Sequence, residues 1–287
     1  MLSDSSTGTL VQTPEARRRR FRGASWTRAW WPSVWPPALA FLVAVLAWQF
    51  LPGPMGLPVY ILPTPTAIWA TVVRHGPEFV SAIVLTSVTS FAGFAISAVL
   101  GVFGALVMAG WKPLERTLYP YAIILSTVPI ISIAPLVVIW FGTGTLSILV
   151  ITFIVGFFPI VANTLVGLQS ASSTSVDLFR VYHASKLQMM LKLRFPTSLP
   201  FIMAALKVTA TLAVIGTIVG EYVAGTGGGN GGLGYIVIVA SNRLETAYVF
   251  AAAIAAALLG ILFFALASLL SMRVLGSWHE SAMKAEQ

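Results

Sequence analysis

Long apolar stretches alternate with short polar segments along the chain. A transmembrane helix needs about 20 mostly apolar residues to cross about 30 Å of hydrocarbon, and several stretches meet or approach that length. Six such stretches lie near residues 38–52, 80–109, 119–140, 146–168, 202–222 and 247–272. The pattern therefore predicts an all-α polytopic membrane protein with six transmembrane helices.

Composition narrows the class of protein further. Apolar residues make up 57% of the 287 residues and charged residues only 9%, whereas a soluble domain carries about 25% charged residues. The same proportions exclude a disordered chain, because disordered chains are poor in apolar residues. The chain has no cysteine, which excludes disulfides and cysteine–zinc sites.

Positive charges are distributed unevenly over the loops. The chain carries 17 Lys and Arg against 9 Asp and Glu, a net charge of +8. If the N-terminus is cytoplasmic, only Arg74 and Arg243 lie on the outer side, in agreement with the positive-inside rule. Topology explains this charge, and nucleic-acid binding is not indicated. We expect cytoplasmic tails over residues 1–37 and 273–287, and a transmembrane domain over 38–272.

Small residues recur every four positions in the second stretch. They are Gly93, Ser97, Gly101, Ala105 and Ala109. A stripe of this kind lets another backbone approach closely. We expect it to pack against another helix of the same chain; a contact with a second subunit is the alternative.

Two prolines, Pro129 and Pro135, interrupt the third stretch. Each removes a backbone donor and kinks or breaks a helix, and in lipid such loosened backbone survives only inside protein or beside a water-filled cavity. The segment is therefore either a structural kink or a break that lines a solute path. Ser126, Thr127 and Ser132 are the neighbouring hydrogen-bonding residues.

Asn163 and Glu221 are polar residues within apolar stretches. A charged group at the centre of a spanning helix costs about 2.5–3.5 kcal/mol on insertion scales. Both are candidates for a solute path or gate. The alternative is helix pairing, which we favour for Asn163, and Glu221 is also near enough to a span end to lie at the interface.

The predicted cytoplasmic loop over residues 169–200 is polar and basic, yet it has helical periodicity. We expect one amphipathic helix over 177–190, ended by Pro196 and Pro200. Such a helix could lie on the membrane or fill a groove on a soluble partner. One predicted face contains Leu178, Val181, Tyr182, Ser185 and Met189.

This loop resembles a motif in the permease subunits of bacterial ATP-binding-cassette (ABC) importers. Their motif is E-A-A, three residues, G, nine residues, I-x-L-P. Here Asp177-Leu178-Phe179 is followed, at the same spacings, by His183 and by Leu193-Arg194-Phe195-Pro196. The chain departs from the motif at Leu178, Phe179 and His183.

Further segments resemble the nitrate/taurine/sulfonate branch of these permeases. Within that branch, the loop is more similar to permeases for thiamine-precursor pyrimidines or riboflavin. The segments are Leu62-Pro63-Thr64-Pro65-Thr66, Val128-Pro129 through Ala134-Pro135-Leu136, Trp140-Phe141-Gly142-Thr143-Gly144, Phe158-Pro159-Ile160-Val161-Ala162-Asn163-Thr164, and Gly232-Leu233-Gly234-Tyr235 after Gly220-Glu221.

The resemblance implies the type I ABC importer permease fold in the bacterial inner membrane, with both termini cytoplasmic. It implies three kinds of partner besides lipid: a second copy of the chain, two ATP-binding-cassette subunits, and a periplasmic or lipid-anchored solute-binding protein. The solute would be sulfonate-, taurine- or nitrate-like, or a pyrimidine or flavin vitamin precursor. The residues implied in ATPase coupling are Asp177, Leu178, Phe179, Arg180, His183, Ala184, Lys186 and Pro196.

Catalytic chemistry is not indicated by the sequence. The glycine-rich segment 225–232 lacks the lysine that a phosphate-binding loop requires, and no metal, cofactor or nucleophile–base pattern is present. We therefore expect a transport subunit that is not an enzyme. An ion-coupled secondary carrier is the alternative, for which Glu221 is the one strong acidic candidate.

Overall fold

The computed structural model describes residues 26–225 and 231–285, with side chains for 35–225 and 231–276. Most of the predicted N-terminal tail and residues 226–230 of the glycine-rich segment lie outside this range. The described helices are α1 Trp26–Phe50, α2 Pro65–Arg74, α3 Gly76–Gly110, α4 Lys112–Ser126, α5 Ile130–Phe141, α6 Thr145–Gln169, α7 Ser173–Val181, α8 Lys186–Met189, α9 Phe195–Ala224, α10 Leu233–Asn242 and α11 Thr246–Ala285. A π-helical turn, Met190–Arg194, joins α8 to α9.

The described part of the chain divides into two compact units, with the boundary between Trp48 and Gln49. The first contains most of α1, and the second contains the remaining described helices. No strand occurs among the residues that the structure describes. The prediction of an all-α fold is confirmed.

Four described helices are long and apolar enough to cross a membrane. They are Gly76–Gly110, Thr145–Gln169, Lys186–Ala224 and Thr246–Gly276. Together α4 and α5 also meet this criterion, but they are bent by 103° at the break between them, so the number of spans is four or five. Within the described side chains, residues 35–50 of α1 form only a short apolar helix. The count of six spans is therefore not confirmed.

The break between α4 and α5 falls at the first of the two prolines. Pro129 is the N-cap of α5 and has no amide to donate. The hydroxyls of Ser126 and Thr127 donate to the carbonyls of Ile123 and Ile124 at 2.6 and 2.7 Å. These bonds satisfy carbonyls at the end of α4, and Pro129 thus breaks the predicted third span rather than leaving it continuous.

Close packing of α3, α6 and α9 forms the centre of the second unit. A Cβ atom at Gly93 would lie 2.7 Å from Thr152 Cβ, and one at Gly101 would lie 2.8 Å from Ile160 Cγ2. Only glycine allows these approaches of α3 to α6. The hydroxyls of Thr152 and Thr217 lie 2.9 Å apart and join α6 to α9. The small-residue stripe therefore packs within the chain, as expected.

Different helix ends and loops meet at the two ends of the second unit. At the α7 end, the C-termini of α3 and α6 meet the π-helical turn, and Ala109 and Leu168 pack in one apolar cluster with Phe195. At the α10 end, the starts of α3 and α11 meet, and His75 stacks on Tyr248 with ring centroids 4.7 Å apart. These two ends are the regions where the candidate functional residues lie.

Candidate functional site

The loop after α6 folds into two short helices. The Ser172 hydroxyl accepts a hydrogen bond from the Ser175 amide at 3.2 Å and caps α7, which ends at Val181. A capping box starts α8: the Gln188 amide donates to Ser185 Oγ at 3.2 Å, and the Ser185 amide donates to Gln188 Oε1 at 2.8 Å. The prediction of one helix over 177–190 is therefore wrong, because residues 182–185 form a turn.

A left-handed residue makes this turn. His183 has φ of 52°, a conformation that glycine adopts most easily and in which histidine is among the better-tolerated residues. The amides of His183 and Ala184 donate to the carbonyls of Arg180 and Phe179, each at 2.9 Å. The importer-permease motif has glycine at this position, so the backbone geometry gives a physical reason for that glycine.

Apolar and charged side chains are both exposed on the two short helices. The Arg180 guanidinium and the Asp177 carboxylate form an ion pair at 2.8 Å, with both side chains largely in solvent. Tyr182 is 78% exposed. Phe179 and Ala184 are half-buried, whereas His183 and Lys186 are exposed. Three further apolar residues are exposed: Leu178, Val181 and Leu187.

Pro196 does not end a helix. It lies in the first turn of α9 and Pro200 lies inside that helix, so the expectation that they terminate the loop helix is wrong. The preceding π-helical turn changes the hydrogen-bond register, and the Phe195 amide donates to the Met190 carbonyl. As a result Lys186–Ala224 is one continuous helical segment of 39 residues.

The solute-path candidates do not form one cluster. Ser126, Thr127, Pro129 and Ser132 are exposed along the break between α4 and α5. Asn163 is exposed on α6, and its amide donates to the Pro159 carbonyl of the same helix at 2.8 Å. Within this chain Asn163 thus bonds its own helix, and its pairing with a helix of another subunit stays a prediction.

Glu221 lies on a different face of α9 from α5. Val219 and Val223 pack with Ala134 and its neighbours on α5, and Glu221 lies about 200° around the helix from each valine. The Glu221 side chain is only 2% exposed. It accepts hydrogen bonds from the Thr86 hydroxyl of α3 at 2.8 and 2.9 Å and from the Gly234 amide of α10 at 2.9 Å.

Sequence reasoning missed the partners of Glu221. Thr86 is separated from it by 135 residues and resembles other threonines in the apolar stretches. The available signal was the pair Gly232 and Gly234, because glycines two apart at the start of a helix indicate close approach of another group. Among the residues that the structure describes, no group of three or more metal-ligating side chains occurs.

A bundle of apolar helices with a polar, helix-forming loop at one end is an architecture of multi-pass membrane proteins. Comparison with known proteins defines the class. Residues 97–276 match the family described as binding-protein-dependent transport system inner membrane component. The chain belongs to this family, which comprises permease subunits of ABC importers.

Individual relatives agree with this assignment. The chain is 36% identical to formylaminopyrimidine transport permease protein ThiX of Halalkalibacterium halodurans over 80% of its length and 90% of the relative. It is 28% identical to riboflavin transport system permease protein RibX of Chloroflexus aurantiacus over 95% of its length and 100% of the relative. These two relatives, together with the putative aliphatic sulfonate permeases that the chain also matches, confirm the resemblance to the nitrate/taurine/sulfonate branch and its vitamin-precursor sub-branch.

A solved structure supports the fold alone. The crystal structure of an amino acid ABC transporter with histidines matches with a TM-score of 0.56 and 19% identity. The match covers 71% of this chain and 97% of the other. The type I importer permease fold class is confirmed. Family membership implies an ATPase and a solute-binding protein as partners.

Proposed function

We propose that the α7 end faces the cytoplasm and that α7 and α8 form the surface on which the ATPase subunit docks. The observation that carries this proposal is the exposure of Leu178, Val181 and Tyr182 on and directly after the short capped helix α7, which lies outside the candidate spanning segments. Exposed apolar side chains beside charged ones are typical of a protein–protein contact. The continuous helix Lys186–Ala224 would carry motion of this surface into the membrane.

The proposed orientation also agrees with the charge distribution. Arg180, Lys186, Lys192 and Arg194 all lie on or beside the two short helices, whereas Arg243 follows α10. The positive-inside rule favours a cytoplasmic α7 end, which also makes the C-terminal tail cytoplasmic. A cytoplasmic N-terminal tail requires in addition that α1 crosses the membrane, and we propose this crossing as part of a transmembrane domain over 38–272.

Orientation can be tested with single cysteines because the chain has none of its own. Tyr182→Cys places a reporter at the α7 end and Leu244→Cys places one at the α10 end; the two native side chains are 78% and 76% exposed. In spheroplasts, a membrane-impermeant maleimide should label Leu244→Cys at once and Tyr182→Cys only after permeabilisation. The reverse pattern would reject the orientation.

The docking surface can be tested with Leu178→Glu in the complex reconstituted with its ATPase and binding protein. We expect reduced ATPase copurification and the loss of solute-stimulated hydrolysis, while membrane insertion is retained. Leu244→Glu is the matched control because it adds the same charge at an exposed leucine of the other end. Unchanged stimulation in Leu178→Glu would count against docking at α7. Uptake by the chain without any ATPase would instead support an ion-coupled carrier.

We further propose that two copies of the chain form the path, that the chain hydrolyses no ATP itself, and that its solute is a small nitrogen heterocycle of the pyrimidine or flavin type. The 36% identity to a formylaminopyrimidine permease supports this solute class. An aliphatic sulfonate is the second candidate, since a putative permease for these solutes from Bacillus subtilis is 27% identical over 98% of the chain. Uptake of a labelled aminopyrimidine, in competition with riboflavin and with an alkanesulfonate, would separate the two classes.

A further inference from the structure

The buried Glu221 carboxylate is the centre of a hydrogen-bonded cluster from three helices. Thr86 of α3 donates to both carboxylate oxygens and accepts from the Leu233 amide at 2.9 Å. The Gly234 amide donates directly to the carboxylate at 2.9 Å. We call Glu221, Thr86 and the amides of Leu233 and Gly234 the Glu221 clamp. Every bond in the clamp joins two different helices.

The clamp holds the N-terminus of α10. The first amides of a helix have no partner within it and carry the positive end of the helix dipole, so a carboxylate is a matching acceptor. A Cβ atom at Gly232 would overlap the Glu221 carboxylate, and one at Gly234 would overlap the Ile218 carbonyl and lie 2.8 Å from Glu221 Cβ. The two glycines therefore allow α10 to approach α9 closely enough for these bonds.

The clamp also lies at one end of a continuous helix that begins with α8, a part of the proposed docking surface. Lys186–Ala224 has 39 residues, which corresponds to about 58 Å at 1.5 Å per residue. Glu221 is three residues from its end. In contrast, α10 has only 10 residues, about 15 Å, and does not span the membrane. The clamp therefore links the long helix to α10 at the end opposite α8.

We infer that Glu221 is a positioning residue that makes α10 move together with α9 when the ATPase subunit displaces α8. This inference rests on the proposed function. According to this inference, α10 moves as a part of the membrane face opposite the ATPase. A purely structural clamp would stabilise the fold without making the position of α10 depend on the nucleotide.

The experiment uses a reporter on α10 in the complete complex with its ATPase. Ala240 is 1% exposed, and Ala240→Cys introduces the only cysteine in this chain; the ATPase subunits are made cysteine-free. Maleimide labelling in proteoliposomes is compared without nucleotide and after trapping with ATP and vanadate. We expect the labelling rate to differ between the two states when the clamp is intact.

The test variant is Thr86→Val, and the matched control is Thr89→Val. Thr89 lies one turn further along α3, is buried, and donates only to the Leu85 carbonyl of its own helix at 2.9 Å. Thr86→Val leaves the Leu233 amide without an acceptor and removes a bond to a carboxylate, so α10 should detach roughly tenfold more often. In Thr86→Val, the cysteine of Ala240→Cys should then be labelled about tenfold faster, at the same rate with and without trapped nucleotide. In Thr89→Val, the labelling rate should still depend on the nucleotide.

Two further variants guard against simple misfolding. Thr86→Ser keeps the hydroxyl and should restore nucleotide-dependent labelling, and Glu221→Gln keeps an acceptor for the Gly234 amide and should be intermediate. ATPase copurification and basal hydrolysis are measured in every sample. Nucleotide-dependent labelling retained in Thr86→Val, or absent from the intact clamp despite hydrolysis, would overturn the inference alone. Absence of any ATPase association with the intact chain would reject the proposed function instead.

Discussion

The left-handed turn at His183 leads to a quantitative prediction about the connection between α7 and α8. A non-glycine residue in this conformation costs about 1–2 kcal/mol, with β-branched residues at the upper end. Glycine avoids that cost but loses more conformational freedom, about 0.5–1 kcal/mol. At His183, glycine should therefore stabilise the turn relative to valine by about 1 kcal/mol.

The neighbouring Tyr182 provides the matched control because its backbone is ordinary, with φ of −79° and ψ of 10°. There glycine has no conformational advantage and should be less favourable than valine by about 0.5–1 kcal/mol. The glycine–valine difference should thus change sign between the two positions. The glycine–valine differences in free energy at the two positions should therefore differ by about 1.5–2 kcal/mol. This corresponds to roughly 10- to 30-fold in the equilibrium constant for opening the turn.

Amide hydrogen exchange measures this opening locally. The Ala184 amide is the reporter because it donates to the Phe179 carbonyl at 2.9 Å and closes the turn. Its protection should rise in His183→Gly and fall in His183→Val, and the order should reverse at Tyr182. The same order of glycine and valine at both positions would refute the left-handed turn.

Three further predictions concern helix packing and the α7–α8 segment. Gly101→Ala should lower the stability of the chain by about 1–3 kcal/mol relative to Gly104→Ala in denaturant titrations. The reason is that a Cβ atom would lie 2.8 Å from Ile160 Cγ2 at Gly101 but 3.9 Å from its nearest neighbour at Gly104. Equal stabilities would contradict the packing of α3 on α6. Asp177→Asn should change the stability of the chain by less than about 1 kcal/mol because its ion pair is exposed. If ATPase binding weakens by more than this amount, the loss comes from a changed contact with the ATPase and not from a destabilised chain. Ser185→Ala removes the cap of α8 and should increase amide exchange at the start of that helix about fivefold, or about 1 kcal/mol; unchanged exchange would show that the cap contributes little.

Hydropathy predicted most of the membrane helices because their stabilising interactions follow from local composition. The stretches near 80–109, 146–168, 202–222 and 247–272 lie within α3, α6, α9 and α11. The helix ends were less predictable. For example, α3 extends back to Gly76 because its first turn tolerates Pro77, which needs no hydrogen-bond partner there.

The effect of Pro129 on its helix was predicted correctly, whereas the effect of Pro196 was not. Pro129 breaks the helix, as its missing amide predicts, but the sequence does not give the 103° bend, which depends on how α5 packs against α6 and α9. Pro196 was expected to end a helix and does not. The difference depends on the backbone register before each proline, and this register is invisible in residue type.

The partners of Glu221 could not be predicted for a different reason. Periodicity relates residues three or four apart, whereas Thr86 and Glu221 are 135 positions apart. Sequence alone left gate and helix pairing open for this residue. The bonds to α3 and α10 favour pairing as its static role, and its part in a solute path stays a prediction.

The π-helical turn explains how one helix can cross Pro196 and still connect α8 to Glu221. In an α-helix the proline ring would clash with the Lys192 carbonyl, the acceptor four residues earlier. Widening the turn over Met190–Arg194 lets the Phe195 amide bond the Met190 carbonyl, five residues back, and relieves this conflict without a break in the helix. If Pro196 had terminated the helix, α8 and α9 would be joined by a hinge and displacement at α8 would be absorbed there. The motif proline is therefore compatible with mechanical coupling because of the turn that precedes it.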